Sequence, residues 1–376
     1  MSYIENKVYK FASYLKLILV RCFTVWLESI HYQGRSPLSV IVKMLLNILQ
    51  LIFYYITTYI VGAWCLLIQI CTKRNKIIGI PSQTGKVAIV TGGASGIGFY
   101  VSKDLVSRNI HVFIGGKCKE TGEDAIKEIK TEFPDAKVDF IHLDLESLDS
   151  VSNFVENFLS RNLPLHILIN NAGVMFSPLE YTCDNLEKQM QVNYLSHFYL
   201  TQLLWNKLAE TGTEQSWSRI VNVSSYMHYI GWPSLETLND RSRKWYEYSS
   251  HKGYADAKLM IIAAANKLNK QLREDNSYVT VNSLHPGVIQ SGLWKHTLAI
   301  HRILMGILGQ YTFLTTEQGA DNVLYVALSP EVEGQSGCYY DNMKSVKSAS
   351  LTYNEEFQNS LWNKSISMIE NSGRKQ

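Results

Sequence analysis

Six short apolar runs, each followed by a polar or amphipathic stretch, constrain the fold of this chain more than any other feature. The runs are rich in β-branched residues and nearly free of charge, which is typical of parallel strands buried on both faces. They lie at 86–90, 111–115, 138–144, 166–170, 219–224 and 279–285. The helical patterns between them include 121–133, 147–159, which Ser147 is placed to cap, and 184–208. This alternation predicts an α/β fold, a doubly wound parallel sheet of the Rossmann type with helices on both faces.

A long uncharged run precedes this pattern. It extends from Met44 to Thr72, is interrupted only by single polar residues such as Gln69, and is flanked by basic residues. About 20 apolar residues span the hydrocarbon core of a bilayer, so the run is long enough to cross it. A buried helix of a soluble domain is the alternative, but it would show a polar face. Residues 11–27 resemble an interfacial helix more than a second span, because Lys16 and Arg21 interrupt them.

Composition excludes several classes of protein. Hydrophobic residues make up 46% of the chain and charged residues 18%, which suits a large core and excludes disorder. The net charge of +3 is spread along the chain, so we expect no nucleic-acid partner. The six cysteines form no CxxC pair, so we expect neither a disulfide framework nor a metal site. We predict a membrane-associated segment at 1–80, a dehydrogenase domain at 81–345 and a C-terminal tail at 346–376. A homo-oligomer stays open.

A glycine-rich turn directly follows the first predicted strand and opens a helix. The turn reads Thr-Gly-Gly-Ala-Ser-Gly-Ile-Gly from Thr91 to Gly98. Glycines allow positive φ angles and let backbone N–H groups approach a pyrophosphate at the positive end of the helix. The position between strand and helix predicts a dinucleotide site. Its predicted contacts are Gly92, Ala94, Ser95, Gly96, Ile97 and Gly98.

The end of the second strand indicates which cofactor binds. An acidic residue there would bind the ribose 2′-hydroxyl and repel a 2′-phosphate, but this chain has Lys117 and Lys119 instead. A lysine can pair with the phosphate, so NADP is preferred, although lysine rather than arginine leaves NAD open. A solvated loop lysine is the alternative. Asp144, followed by Leu145, is placed either to accept from the adenine amino group or to precap the next helix.

Two segments offer the pattern Tyr-x-x-x-Lys, which brings a phenol and an ammonium group together. Tyr254 and Lys258 open a continuous apolar helix, whereas the segment from Tyr248 to Lys252 is broken by serines and a glycine. Tyr254 and Lys258 therefore lie one turn apart on one helix face. A free tyrosine has a pKa near 10, and a neighbouring cation lowers it, which suits a general base. A tyrosine packed beside a snorkelling lysine is the alternative.

Taken in order, these motifs resemble those of the short-chain dehydrogenase/reductase family, from Lys86 to about Tyr340. The resemblance implies four catalytic residues. Tyr254 would donate and accept the proton at the reacting oxygen, and Lys258 would hold the nicotinamide ribose and lower the pKa of Tyr254. Ser225, with Ser224 as alternative, would hydrogen-bond that oxygen. Asn193 would position a water in the proton relay, its alternative being a helix kink or cap.

The same resemblance implies further residues of the cofactor cleft. They follow the fourth and sixth predicted strands, and Tyr254 and Lys258 would contact the cofactor as well. Ser291 stands where the family usually has a threonine that touches the nicotinamide carboxamide. The implied residues are Asn171, Ala172, Gly173, Pro286, Gly287, Val288 and Ser291.

The spacing of 29 residues from Ser225 to Tyr254 is similar to that in the retinol-dehydrogenase-like branch of the family. The tail sequence from Leu351 to Ser365 resembles that of members that act on polyprenols. This implies oxidation of polyprenol to polyprenal and reduction of dolichal to dolichol at the endoplasmic reticulum membrane. Basic residues after the apolar run weakly favour a cytosolic catalytic domain. The alternatives are a retinol or steroid dehydrogenase and a nucleotide-binding membrane scaffold without turnover.

Two stretches of the predicted domain suit a lipid substrate. Aromatic residues between Ser225 and Tyr254 would wall an apolar substrate, unless they are ordinary surface residues. Residues 293–308 mix apolar and basic side chains and would either dip into lipid headgroups or pack on the protein as a lid. The aromatic set consists of Tyr226, His228, Tyr229, Trp232, Trp245, Tyr246 and Tyr248.

Overall fold

The computed structural model describes residues 37–77, 79–242, 244–290 and 309–372. Its described strands form one eight-stranded sheet in the order β3-β2-β1-β4-β5-β6-β7-β8. Strands β1 to β7 are parallel and β8 is antiparallel to β7. The strands are β1 Val87–Thr91, β2 His111–Gly116, β3 Val138–His142, β4 Ile167–Asn170, β5 Ser218–Val223, β6 Val279–His285, β7 Tyr339–Asp341 and β8 Lys344–Val346.

Helices cover both faces of this sheet, which confirms the predicted fold class. Helices α2, α3 and α7 pack on one face, and α4, α5, α6 and α8 pack on the other. The long helix α1 precedes the sheet. The helices are α1 Pro37–Cys71, α2 Gly96–Ser107, α3 Lys119–Glu132, α4 Leu148–Leu159, α5 Ser196–Thr211, α6 Ser250–Glu274, α7 Thr316–Leu328 and α8 Glu355–Glu370.

The first strand shows why its sequence is free of charge. Val87 and Ile89 belong to the core on one face of the sheet, whereas Ala88 and Val90 belong to the core on the other. All four are buried. Side chains alternate across a strand, so a strand covered on both faces has no position for a charged residue.

Element boundaries follow the predictions with two informative exceptions. Ser147 caps α4 as expected, because its hydroxyl accepts the N–H of Ser150 at 3.2 Å. The helix predicted from Asp184 begins later, as a short turn at Lys188–Met190 followed by a π-helical turn at Gln191–Leu195. Asn185 has a φ of +60°, which ends any right-handed helix there. The third strand ends at His142, two residues before its predicted end.

The C-terminal residues belong to the core of this domain. Leu361, Trp362 and Ile369 of α8 are buried in the same cluster as α5 and α6, and the hydroxyls of Ser365 and Tyr194 lie 2.6 Å apart. The predicted interfacial helix at 11–27 and the segment 291–308, with Ser291, lie outside the described residues.

Helix α1 contains the uncharged run. Its segment Met44–Cys71 is long and apolar enough to cross a membrane, judged by length and composition. The same helix also packs on the sheet domain, as described below.

Candidate active site

Helix α6 places the predicted catalytic tyrosine and lysine together. The helix begins after Ser249, whose hydroxyl accepts the N–H of Lys252 at 3.2 Å. Tyr254 and Lys258 follow one turn apart, both are buried, and the Lys258 ammonium lies 5.7 Å from the centre of the Tyr254 ring. The Ser225 side chain, just after β5, lies beside the Tyr254 hydroxyl and acts to lower the pKa of that hydroxyl. The structure therefore brings three of the four predicted catalytic residues into one cluster.

The ammonium group of Lys258 is fixed by backbone at the end of β5. Its Nζ donates to the carbonyl oxygen of Val223 at 2.8 Å, and burial lowers the pKa of Lys258 to about 8. The hydroxyl of Ser224 donates to the backbone carbonyl of Lys258 at 2.8 Å. Ser224 thus joins α6 to β5, which leaves Ser225 as the serine that contacts Tyr254.

The phenol of Tyr254 keeps its proton at neutral pH in this environment. The sequence argument expected a lowered pKa, but burial raises the pKa of Tyr254 to about 12, and the Ser225 side chain opposes this rise. Desolvation disfavours the phenolate because its charge leaves water. A protonated phenol suits the donation of a proton to a carbonyl oxygen, which is the step that reduction requires.

Asn193 lies in the π-helical turn before α5 and anchors the loop after β4. Its Oδ1 accepts the N–H of Val174 and its Nδ2 donates to the carbonyl of Val174, both at 2.8 Å. A Cβ added to Gly173 would lie 2.8 Å from Asn193 Oδ1 and 3.6 Å from Lys258 Nζ. Asn193, Gly173 and Lys258 therefore share one tightly packed corner, and π-helical turns frequently occur at functional sites.

Thr91, at the end of β1, organises the crevice where the strand order reverses. Its hydroxyl oxygen accepts the N–H groups of Asn171 at 2.9 Å and Ala172 at 3.0 Å, and the Asn171 side chain donates to the Thr91 carbonyl at 2.9 Å. The Nε2 of His197 lies 2.9 Å from the same hydroxyl. Burial and the nearby Lys258 charge lower the pKa of His197 to about 3, so this imidazole is neutral.

Sequence reasoning did not single out Thr91 or His197 as site residues. Thr91 belongs to the glycine-rich motif, which was a usable signal. His197 had none, because its contact with β1 joins residues 106 positions apart.

The glycine-rich turn fits a dinucleotide pyrophosphate. Gly92 and Gly96 have φ angles of +64° and +56°, which other residues adopt only with strain. A Cβ on Gly98 would collide with the carbonyl oxygen of Gly92 and would lie 2.6 Å from Asn171 Nδ2. Among the described residues, the side chain of Ser95 makes no capping hydrogen bond to α2. The first amides of α2 therefore face an open cradle suited to an anion.

Lys117, one of the two lysines predicted to select the cofactor, and Asp144, the predicted adenine contact, lie side by side at the carboxyl ends of β2 and β3. Lys117 Nζ is 3.0 Å from Asp144 Oδ2 and 3.3 Å from Glu146 Oε1, while 61% of the Lys117 side chain remains exposed. Lys119 pairs with Glu123 at 3.6 Å. Leu145 is buried and its carbonyl accepts the hydroxyl of Ser196. Lys117 is thus the lysine beside the predicted adenine contact.

The Pro286-Gly287-Val288 turn after β6 is held by a residue from α1. The side-chain oxygen of Gln69 accepts the N–H of Val288 at 2.8 Å, and its nitrogen donates to the carbonyls of Val288 and Thr312 at 3.2 Å. Gly287 has a φ of +105°. Gln69 is a site residue that sequence reasoning missed, although a polar side chain within an apolar run was a signal.

The aromatic residues between Ser225 and Tyr254 separate into two groups. Tyr226, His228 and Tyr229 pack against the C-terminal segment, where Tyr226 donates to Asp341 and Tyr229 donates to the carbonyl of Lys347. Trp232, Tyr246 and Tyr248 line a cavity of about 770 Å³ on the flank of α6 that carries Gly253 and Asp256. The Trp245 side chain lies outside the described residues.

A different aromatic group surrounds the catalytic tyrosine. Phe176 lies 5.5 Å from the Tyr254 ring, between ring centres, and Met175 and Met227 pack in the same cluster. These residues come from the loop after β4 and from the short helix Tyr226–Ile230. The apolar wall beside Tyr254 is therefore built mostly by residues outside the predicted aromatic set.

The chain is similar in sequence and in fold to several known proteins. Residues 86–237 match the family model of the short chain dehydrogenases. Polyprenol dehydrogenase from Danio rerio is 38% identical over 323 residues, which cover 86% of this chain and 98% of that protein. Human retinol dehydrogenase 11 is 35% identical over 285 residues, covering 76% and 86%. A crystal structure of an uncharacterized protein from Mycobacterium paratuberculosis has a TM-score of 0.63 at 26% identity, covering 79% of this chain and 98% of that one.

Proposed function

We propose a substrate for this chain, which belongs to the short-chain dehydrogenase/reductase family and is an oxidoreductase that acts on alcohols and carbonyls. The proposed substrates are long-chain lipid alcohols and aldehydes, namely polyprenol and dolichal. Membership of this family confirms the resemblance read from the sequence. The observation that carries the proposal is the cluster that the half-buried Ser225 forms with the buried Tyr254 and Lys258. The similarity to polyprenol dehydrogenase over nearly its whole length supports the choice of substrate.

The residues of this cluster divide the chemistry among them. A bound NADPH would supply the hydride, and the chain supplies the proton and holds the substrate. In reduction, the Tyr254 phenol donates its proton to the carbonyl oxygen, and the Ser225 hydroxyl donates a hydrogen bond to the same oxygen as its charge develops. The Lys258 ammonium lies beside the phenol and stabilises the phenolate that remains. Asn193 holds the loop that closes this corner.

The remaining predicted contacts would hold the cofactor. Gly92, Ala94, Ser95, Gly96, Ile97 and Gly98 form the cradle for the pyrophosphate, and Asn171, Ala172 and Gly173 line the crevice next to it. Pro286, Gly287 and Val288 would close this crevice from the other side. We place Asp144 and Leu145 at the adenine end, with Lys117 at the 2′-phosphate of NADP.

Lys117→Ala should weaken NADPH binding by about tenfold and leave NADH binding nearly unchanged. The reason is that a charged hydrogen bond to the 2′-phosphate contributes about 1.5–3 kcal/mol, and its loss also exposes the phosphate to Asp144 and Glu146. Fluorescence titration of both nucleotides against the full chain measures the two affinities. Lys119→Ala is the matched control, because Lys119 pairs with Glu123 instead. An equal loss of both affinities would contradict the assignment of Lys117.

The substrate is tested by turnover on a panel of alcohols and carbonyls. The full-length protein is incubated with polyprenol, dolichal, retinol and a steroid alcohol, each with NADP(H) and with NAD(H), and the absorbance of the reduced nucleotide is recorded. We expect oxidation of polyprenol and reduction of dolichal, faster with NADP(H). Turnover of retinol alone would favour the second candidate, which the 35% identity to retinol dehydrogenase 11 supports. No turnover of any of them would favour a non-catalytic scaffold.

We also propose that the protein resides at the endoplasmic reticulum membrane with its catalytic domain in the cytosol. The uncharged segment of α1 supports membrane attachment, and the basic residues Lys73, Arg74 and Lys76 that follow it suit the anionic cytosolic leaflet. Fluorescence microscopy of the tagged full chain, with selective permeabilisation of the plasma membrane, tests both parts. An epitope in the catalytic domain should become accessible when only the plasma membrane is opened.

A further inference from the structure

Helix α1 has a buried face that packs on the catalytic domain. The residues of this face are between 3% and 8% exposed, and their spacing of three or four positions places them on one side of the helix. Two of them are threonines, which suit a contact with protein better than a contact with lipid tails. The buried face consists of Tyr54, Thr57, Thr58, Val61 and Cys65.

The elements that receive this face belong to the active site. Val61 and Cys65 pack with Ile230, in the short helix that follows Ser225, and with Ala255, the neighbour of Tyr254. Gln69 holds the turn after β6 through three hydrogen bonds. From Tyr54 to Gln69 the helix rises roughly 22 Å, so the contact covers about half of α1.

Contacts continue beyond the end of the helix. Arg74 forms an ion pair with Asp321 of α7 at 3.0 Å, and the backbone N–H of Asn75 donates to the side chain of Asn342 at 3.0 Å. The C-terminal half of α1 and the segment after it are therefore fixed on the catalytic domain by packing, hydrogen bonds and charge.

The opposite face of α1 is a continuous apolar stripe, which we call the outer stripe. Its residues recur every three or four positions, and its large side chains are between 43% and 56% exposed. Soluble proteins rarely leave a contiguous apolar patch of this length open to water. The outer stripe consists of Leu45, Leu49, Ile52, Ile56, Ile60, Ala63, Leu67 and Ile70.

We propose that α1 lies in the plane of a membrane surface, with the outer stripe in the lipid and the buried face on the catalytic domain, and does not cross the bilayer. If α1 crossed, the turns packed against it would enter the hydrocarbon core. Irregular backbone is not tolerated there when lipid surrounds it. The exposed Lys73 and Lys76 just beyond the stripe complement anionic headgroups. A lipid surface is therefore the partner that this stripe fits.

This orientation also brings the catalytic tyrosine to the membrane. Aromatic rings connect Tyr254 to α1: Phe176 lies 5.5 Å from Tyr254, His251 lies 4.3 Å from Phe176, and Tyr55 of α1 lies 5.2 Å from His251, all between ring centres. Tyr55 lies one position before Ile56 of the outer stripe. Tyr254 thus lies three ring contacts from the outer stripe, which keeps the path of a lipid alcohol from the membrane short, a consequence that rests on the proposed function.

Depth measurements on the full chain distinguish an in-plane helix from a spanning one. A small fluorescent amino acid is placed at Ile52, Ile60 or Leu67 in turn, and the protein is bound to vesicles of phosphatidylcholine and phosphatidylserine that carry bromine at different depths. An in-plane helix predicts one shallow depth of about 5–10 Å for all three positions. Depths that pass from one interface through the bilayer centre would overturn the proposal. The same probe at Leu159, an exposed residue far along the chain, should stay unquenched.

A second pair of variants tests the stripe itself. Ile56→Glu combined with Ile60→Glu should lower flotation with these vesicles by at least about tenfold, and should lower turnover of vesicle-embedded polyprenol by a similar factor. Turnover of a short water-soluble isoprenoid alcohol should be unchanged, which also shows that the variant is folded. Leu159→Glu is the matched control and should float normally. Undiminished flotation of the double variant would refute the outer stripe as the membrane contact.

The failure of this proposal and the failure of the proposed function give different results. If the wild-type protein shows one shallow probe depth but turns over no lipid alcohol, the in-plane helix stands and the substrate assignment fails. If it turns over polyprenol while the probe depths cross the bilayer, the function stands and the in-plane helix fails.

Discussion

Tyr254→Phe should lower turnover by about two to four orders of magnitude while NADPH still binds. The change removes only the hydroxyl that lies beside Ser225 and donates the proton, and a positioned general acid typically contributes a rate factor of about 10²–10⁴. The ring remains packed against Phe176, so the fold is retained. Steady-state rates of dolichal reduction and fluorescence titration of NADPH measure the two quantities separately.

Tyr248→Phe is the matched control, because Tyr248 begins the other Tyr-x-x-x-Lys segment. Its hydroxyl donates to Glu187 and accepts from Gln189, both at 2.7 Å, before α6 begins. This variant should keep its turnover and lose about 1–2 kcal/mol of unfolding free energy, measured by denaturant titration. Substantial activity in Tyr254→Phe together with inactivity in Tyr248→Phe would reverse the assignment of the catalytic tyrosine.

Gly98→Ala should weaken nucleotide binding by about ten- to hundredfold. The added Cβ would collide with the carbonyl oxygen of Gly92 and approach the Asn171 amide, and such overpacking costs about 1–3 kcal/mol. The collision lies within the turn that forms the cradle, so the backbone amides facing the phosphates must shift. Titration of NADPH gives the affinity, and thermal unfolding without nucleotide shows how much of the cost falls on the fold.

Gly96→Ala separates crowding from backbone strain. Among the described residues no atom lies within 4 Å of a Cβ at Gly96, so this variant suffers only from the φ of +56°, at a cost of about 1–2 kcal/mol. We expect a lower melting temperature and a smaller loss of affinity than for Gly98→Ala. Normal NADPH binding by Gly98→Ala would show that this turn does not hold the pyrophosphate.

Six strands of the sheet could be predicted from the sequence, whereas the last two, at one edge, could not. The strands β1 to β6 were readable because burial on both faces removes charge from the sequence, as at Val87 to Val90. β7 and β8 have three residues each, and Tyr339 to Asp341 becomes a strand only by pairing with Ser283 to His285. A run of three residues carries too little periodicity to predict a strand.

The candidate site shows the same division. Tyr254 and Lys258 were found because a helix places residues four apart on one face. The direction of the Tyr254 pKa was not readable, because it depends on how many atoms from distant segments exclude water from the phenol. Lys258 illustrates this too: its partner is the carbonyl of Val223, 35 residues away, and no side-chain pattern marks a backbone acceptor.

The amino-acid sequence by itself determined the order of strands and helices, the glycine cradle and the pairing of phenol with ammonium, because each depends on residues close together in the chain. Tertiary structure alone decided that Gln69 holds a turn 219 positions away and that α1 has one face buried on the protein and one exposed apolar face. A run without charge is compatible with crossing a bilayer and with lying on one. Which surface packs against it decides between them, and that surface is assembled only when the chain folds.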